Sequence, residues 1–390
     1  MSNRFLIILL AIGAFIAGTG ELVISGIVDL IASDLHVSLA VSGQLVTMFS
    51  ISFAIGSPIV IALTSKMNRK KLLLVTLIIS ALGGTMAMLS ENIIPMMLSR
   101  IILGICSGVF NSIAFAMAAG LVTPDKRGSA IGSIQVGFSC SLIVGVPIGI
   151  TITAHFGWHT IFGLLAAANM VILLLIVKLL PNIASSELKQ SKIRSNLGNF
   201  RVAVTLFIAF LNVLGYSICF TFITPYLQTL AHLSHSAISG ILLLMGVCGA
   251  VGSRLGGYGT DKWGVTKTLL MMLAFHTVSL LLSPFMATTL VGIIVTITIW
   301  GISVYATVPT ILYYLISLAP DAAEMVISLN TSVFQIGIAV GAAVGGIIVN
   351  NLSVFHVGWI GGITVAVGLI VAIFFLSLER KVIPLHERQN

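Results

Sequence analysis

The sequence predicts an all-α membrane protein of twelve transmembrane helices arranged as two pseudo-symmetric six-helix halves. Three observations carry that expectation. Of 390 residues, 58% are hydrophobic and only 8% are charged, whereas a soluble domain needs about 25% charged residues to cover its surface. Apolar stretches of about 20 residues, the length that crosses a bilayer as a helix, recur from the first residues to Ser377. The basic residues fall between these stretches, where they act as topology determinants.

Taken in order, the apolar runs are approximately 5–28, 40–63, 72–90, 94–121, 128–153, 160–180, 202–226, 236–258, 267–285, 288–316, 325–349 and 357–378. The alternation required of membrane strands is absent. The first run starts directly after Arg4 and continues through a polar Gly-Glu segment without a cleavage site, so it reads as a retained span rather than a signal peptide. Lys66, Arg69, Lys70, Lys71, Lys126, Arg127, Lys189, Lys192, Arg194, Arg201, Lys262, Lys267, Arg380 and Lys381 fall on one side, and the loops of the other side contain no Lys or Arg. The positive-inside rule then places both termini in the cytoplasm.

The longest polar connection, Pro181 to Arg201, divides the chain into a first half over 1–180, a linker over 181–201, a second half over 202–379 and a tail over 380–390. A repeat supports the division. Leu63-Thr64-Ser65-Lys66-Met67-Asn68-Arg69-Lys70, after span two, has a counterpart after span eight in Gly259-Thr260-Asp261-Lys262-Trp263-Gly264-Val265-Thr266. Ser65 and Asp261 are 196 residues apart, as expected for two halves related by an axis along the membrane normal.

Other function classes lack their parts. The net charge of +8 sits in topology-determining loops, so it does not argue for nucleic acid. Cys106, Cys140, Cys219 and Cys248 lie in apolar segments without paired or metal-ligand spacing and read as small packing residues. His155, His159, His232, His235 and His356 lie near span ends on different hairpins and read as interfacial, so no metal is expected. There is no P-loop, no pair of carboxylates in one span and no Cys/His or Ser/His arrangement at catalytic spacing, so neither an enzyme nor a cofactor is expected.

The anomaly is Glu21, a carboxylate inside the uncharged run from Phe5 to Val28. An ionisable side chain in a span costs at least about 2.5–3.5 kcal/mol on insertion scales, which makes it a functional-site candidate with a partner to be found. Arg100 is the one base clearly within the half of the membrane far from the termini. At about 1.5 Å per residue, Glu21 lies roughly 12 Å below Asp29 and Arg100 roughly 8 Å below Pro95, so the two are expected at similar depth and coupled. Glu21 would take up and release a proton while Arg100 tunes its affinity. Asp29 is a further candidate to share that proton.

Over essentially its whole length the chain resembles a major facilitator superfamily transporter of the twelve-span drug/proton antiporter group. Gly20-Glu21-Leu22, Ser42-Gly43-Gln44-Leu45 and the run from Leu329 to Ala339 resemble bacterial purine-efflux and arabinose-type efflux exporters. The family's loop signature is kept at Asp261, Lys262 and Gly264, whereas the first copy has Ser65 and Asn68 in place of its acid and glycine but retains Lys66, Arg69 and Lys70. The resemblance implies that these residues form a conformational latch at the cytoplasmic helix ends. It also puts Arg100 at the family's fourth-span arginine. Gly137, Gly145, Pro147 and Gly149 in span five resemble the glycine-proline motif of exporters, and such residues make a span pliable. Gly252, Gly256, Gly257, Gly341, Gly345 and Gly346 read as ordinary packing positions.

In this fold substrate cavities lie between the halves. Asn212, Gln335 and Gln135 converge near mid-membrane and, with Asn111, Tyr216, Phe220, Asn330 and the deeper Trp300, are expected to line a mostly apolar pocket. No acid or base is read in the central spans of the second half. A neutral or weakly polar planar solute is therefore expected, such as a nucleobase, a nucleoside or an aromatic drug. The resulting expectation is proton-coupled efflux by alternating access from a bacterial cytoplasmic membrane, by a chain that can act as a monomer. The alternatives are export of a sugar, metallophore or lipid, or facilitation without protons.

Overall fold

The computed structural model describes residues 3–64, 67–123, 127–179, 200–319 and 323–382. It contains twelve helices long and apolar enough to cross a membrane. They are α1 Asn3–Asp34, α2 Leu39–Leu63, α3 Arg69–Met88, α4 Ile93–Ala118, α5 Gly132–Phe156, α6 Trp158–Leu179, α7 Phe200–Phe220, α8 His235–Trp263, α9 Val265–Met286, α10 Leu290–Leu318, α11 Val326–Asn351 and α12 His356–Phe375. Among the described residues there is no strand.

Short polar residues start the helices where the chain turns back. Ser38, Asn92, Ser234 and Thr289 each accept a main-chain N–H in the first turn of α2, α4, α8 and α10, supplying acceptors for donors that the helix cannot satisfy itself. At the other end, Asn68 accepts from the N–H groups of Lys70 and Lys71 to begin α3. That end carries Arg69, Lys70, Lys71, Lys178, Arg201, Lys262 and Lys267 and is called the basic end below. Lys126, residues 180–199 with Lys189, Lys192 and Arg194, and residues 383–390 lie outside the described residues.

Two spans depart from regular α-helix in the same way. A π-helical turn at Ser52–Gly56 in α2 precedes Pro58, and another at Ser141–Gly145 in α5 precedes Pro147. Proline has no N–H for the ladder, and a shift to wider hydrogen bonds just before it absorbs the loss. Span seven is shorter than its apolar run. It stops at Phe220, and a separate short helix, Ile223–Ala231, follows. Pro225 cannot donate to the Thr221 carbonyl, so the ladder breaks there.

Helices α1–α6 form one half and α7–α12 the other. The most buried spans are α1, α4, α7 and α10, at 56–67% of each hydrophobic window, against 33% and 39% for α6 and α12. The first four therefore make the interior and the last two face lipid. The halves meet through α2 on α11, through α5 on α8, and through α1 on the short helix Ile223–Ala231. Five hydrogen bonds cross between the halves among the described residues. They are His235 to Asp29, Thr224 to the Ser25 carbonyl, Ser239 to the Pro147 carbonyl, Thr47 to the Ala339 carbonyl and Gln335 to Glu21. All lie in the part of the molecule away from the basic end or at its middle. The last turns of α2, Ser57–Leu63, pack chiefly on α4 of their own half. The halves are thus closed against each other at the end opposite the basic residues.

Candidate functional site

Helix α5 determines where α1 sits. Gly137 faces the Ala11 main chain, Gly145 faces the Thr19 side chain and Gly149 faces the Val23 side chain, each partner lying 126 positions earlier. A side chain at any of the three would overlap α1, so the glycines permit parallel helices to pack along one stripe. Pro147, two residues beyond the π turn, lies in the same stretch.

That docking presents Glu21 toward the second half. The residue is only 5% exposed, and Gln335 Nε2 on α11 donates to its Oε1 at 3.0 Å. Its Oε2 and the Gln335 Oε1 are buried without a partner. Two acceptor oxygens, one from each half, therefore remain available at the innermost of the described cross-half hydrogen bonds.

Arg100 is brought to the same turn of α1, but not to the carboxylate. Its Nη1 donates to the Gly20 carbonyl at 2.7 Å, Nη2 to the Glu21 carbonyl at 3.4 Å and Nε to the Leu45 carbonyl at 3.2 Å. The guanidinium also lies 4.4 Å from the centre of the Phe49 ring. The direct pairing expected from matched depth is replaced by a fork that ties α1 to α2, which a planar five-donor group suits and a point charge does not. Glu21 finds its partner in the other half instead.

Beside Glu21 is an aromatic group. Tyr216 stacks on Phe220 at 4.8 Å and lies 5.8 Å from Trp300 and 6.4 Å from Tyr305, centre to centre. Trp300 and Asn212 belong to a buried polar chain that sequence reading missed. Trp300 Nε1 donates to His276 Nε2 at 3.1 Å, the His276 Nδ1 meets Asn212 Oδ1 at 2.8 Å, and Asn212 Nδ2 donates to Thr307 Oγ1 at 2.9 Å. Since an indole can only donate, His276 Nε2 must accept and Nδ1 must carry the proton. The chain ends with Thr307 donating to the Val304 carbonyl. Asn212 and Trp300 thus brace the second half, and their polar atoms are not free to meet a solute.

This corrects the reading that the central second-half spans hold no base. His276 is fully buried in α9, and the anomaly that singled out Glu21, an ionisable group in an apolar run, would have found it. Arg254 on α8, exposed, was also passed over. Of the remaining expected cavity residues, Asn111 and Asn330 are half-buried and Gln135 is exposed.

The expected latch residues are not drawn together. Arg69 begins α3, half-buried, and Asp261 and Lys262 are exposed. Lys262 Nζ donates to Tyr258 within its own helix at 2.9 Å. Gly264 has φ of 82°, a conformation open to glycine, and joins α8 to α9. Lys66 lies outside the described residues. Among the described residues, no group of three or more His, Cys, Asp or Glu lies together as a metal site.

Comparison with known proteins gives the fold and the arrangement a family. The family model described as Major Facilitator Superfamily matches residues 10–341. The uncharacterized MFS-type transporter YbcL of Bacillus subtilis (strain 168) is 35% identical over 384 residues, covering 98% of both chains. A second protein of that organism, the uncharacterized MFS-type transporter YtbD, is 30% identical over 387 residues and 97% of both chains. The inner membrane transport protein YdhP of Escherichia coli (strain K12) is 28% identical over 98% of both. A bacterial homologue of the human lysosomal transporter Spinster, solved in an inward-facing and unoccupied conformation, superposes with a TM-score of 0.71 at 17% identity over 96% of this chain and 95% of that one. With twelve membrane-spanning helices in two halves and a family match over most of its length, the chain is a multi-pass membrane protein that belongs to the Major Facilitator Superfamily of transporters.

Proposed function

We propose that the chain is a proton-coupled exporter that works by alternating access, with its basic end in the cytoplasm of a bacterial cell. The orientation follows from the excess of Lys and Arg at one end. The observation that carries the reading is the Glu21–Gln335 bond, the cross-half hydrogen bond nearest the basic end among the described residues, with an unpartnered acceptor oxygen on each side chain.

A buried carboxylate without a full set of donors is costly in hydrocarbon, and two things can relieve it. A proton on Glu21 neutralises the charge and supplies an O–H that the Gln335 Oε1 can accept. A solute bearing N–H groups can instead donate to the same two oxygens. Proton and solute then compete for one site, which is the requirement for antiport. With the halves closed at the opposite end, the site is poised to exchange with the cytoplasm.

The solute class follows from the surroundings. Tyr216 and Phe220 offer aromatic faces beside two acceptors, which suits a planar N–H heterocycle such as a purine base or an aromatic drug. Asn111, Asn330 and Gln135 would widen that site, while Asn212, Trp300 and His276 would hold its second-half wall. Asp261, Lys262, Gly264, Arg69 and Lys66 would engage across the basic end in the alternate state, when that end closes. One chain contains both halves of the pathway and can act as a monomer in the lipid bilayer.

The test is a panel of solutes added to inverted vesicles holding an inside-acid gradient, with a pH-sensitive dye as readout. Purine bases and planar drugs are expected to discharge the gradient only where the protein is present. Discharge by a sugar, metallophore or lipid in their place would replace the solute class, and solute movement with no discharge would overturn proton coupling.

A further inference from the structure

A second ionisable pair crosses between the halves, at the end away from the basic residues. His235, the first residue of α8, places Nε2 3.0 Å from Asp29 Oδ2 on α1. The amide nitrogen of Gln228, on the short helix Ile223–Ala231, lies 3.1 Å from the same ring nitrogen. The pair is not sealed, since the His235 and Asp29 side chains are 25% and 16% exposed. The other carboxylate oxygen, Asp29 Oδ1, is buried without a partner.

Other titratable groups near this end on the same elements are Asp34, which accepts from Trp158 Nε1, His36 just after α1 and His232 three residues before His235; none of them is hydrogen-bonded to the pair. From α1 comes Asp29, and the short helix brings Gln228, which is neutral. Where α5 meets this part of α8 it offers the Pro147 main-chain carbonyl to Ser239, and its own His155 is bonded to the Thr151 carbonyl in its last turn. Neutral imidazole gives the ionised carboxylate a hydrogen bond with one charged member. Imidazolium adds the attraction of a partly exposed ion pair, and protonating the carboxylate removes that addition.

We propose that Asp29 and His235 form a protonation-dependent latch that holds this end closed. Acidity on this side charges the imidazole and closes the latch, and loss of that proton loosens it. Asp29 lies two turns above Glu21 on α1, about 12 Å along the helix. Protons arriving from this side therefore load Glu21 and favour closure behind it, so the proton-carrying return is the half-cycle that acid speeds. That kinetic consequence rests on the proton-coupled reading above, but the latch itself rests only on the cross-half geometry.

The experiment reads distance rather than transport. Spin labels at Leu89→Cys and Leu352→Cys, exposed positions at this end on opposite halves, are placed in the full chain carrying Cys140→Ser, in nanodiscs without solute or gradient. On acidification from about pH 8 to about pH 5, the interval in which histidine is the switching side chain, the closed-to-open ratio is expected to rise on the order of two- to fivefold, the range of a partly exposed ion pair. His235→Gln and Asp29→Asn are expected to abolish that rise. His235→Lys, with a fixed positive charge, is expected to stay closed at both values. Unchanged distances in the parent chain would overturn the latch. So would a rise that survives in His235→Gln, or one that vanishes in Glu21→Gln while surviving in His235→Gln. Because no solute moves, a chain that failed as a proton-coupled exporter would still show the switch, and a proton-coupled exporter lacking the latch would not.

Discussion

Arg100 has no exposed surface and sits in a span, where an unmatched guanidinium could not be tolerated. Its position is made possible by three main-chain carbonyls and the face of Phe49. These bonds fix the turn of α1 that carries Glu21, so Arg100 positions the carboxylate through its backbone. Replacing Arg100 with Met should lower thermal stability in detergent by about 3 kcal/mol, the scale of losing charged buried hydrogen bonds. A melting temperature equal to that of the unmodified protein would contradict the fork. Both charged residues were visible in the sequence as ionisable groups in apolar runs. Their partners were not, because main-chain carbonyls leave no mark in a sequence and Gln335 lies 314 positions from Glu21. His276 was legible on the same ground as Glu21, yet an imidazole does not stand out when Asp, Glu, Lys and Arg are the residues sought.

At the scale of elements, the glycines of α5 show how close approach is written into a chain. Gly137, Gly145 and Gly149 leave no room for a side chain against α1. Gly257, by contrast, has open space where a side chain would go, although it reads in sequence like its neighbours Gly252 and Gly256, which abut the Ile302 and Ala306 main chains. Gly145→Leu should therefore shift α1, lower stability by about 1–3 kcal/mol as overpacking does, and reduce transport. Gly257→Ala should change stability by less than about 0.5 kcal/mol. Equal effects at the two positions, measured by thermal unfolding in detergent, would remove the steric explanation. Span number and approximate limits were legible from hydropathy because a bilayer demands a fixed length of apolar helix. The break after Phe220 was not, because it lies inside one unbroken apolar run and is made by the single missing N–H of Pro225.

At the scale of the molecule, the two halves meet along α2 with α11 and α5 with α8, and the hydrogen bonds between them among the described residues lie at or beyond the Glu21 level. The division into halves was legible through the repeated loop and the polar linker. Which end is closed was not, since both states of an alternating-access protein are encoded by one sequence and differ only in which contacts are made. Glu21 lies where the described cross-half hydrogen bonds end, so in the proposed cycle its protonation acts on the Gln335 bond between the halves. The most direct measurement is uptake of the best panel solute into inverted vesicles under an imposed inside-acid gradient, comparing the unmodified chain with Glu21→Gln at matched amounts. Accumulation by the unmodified chain and none by Glu21→Gln, with solute exchange in the absence of a gradient retained, is the expected result; equal gradient-driven accumulation by both would contradict a coupling role for Glu21.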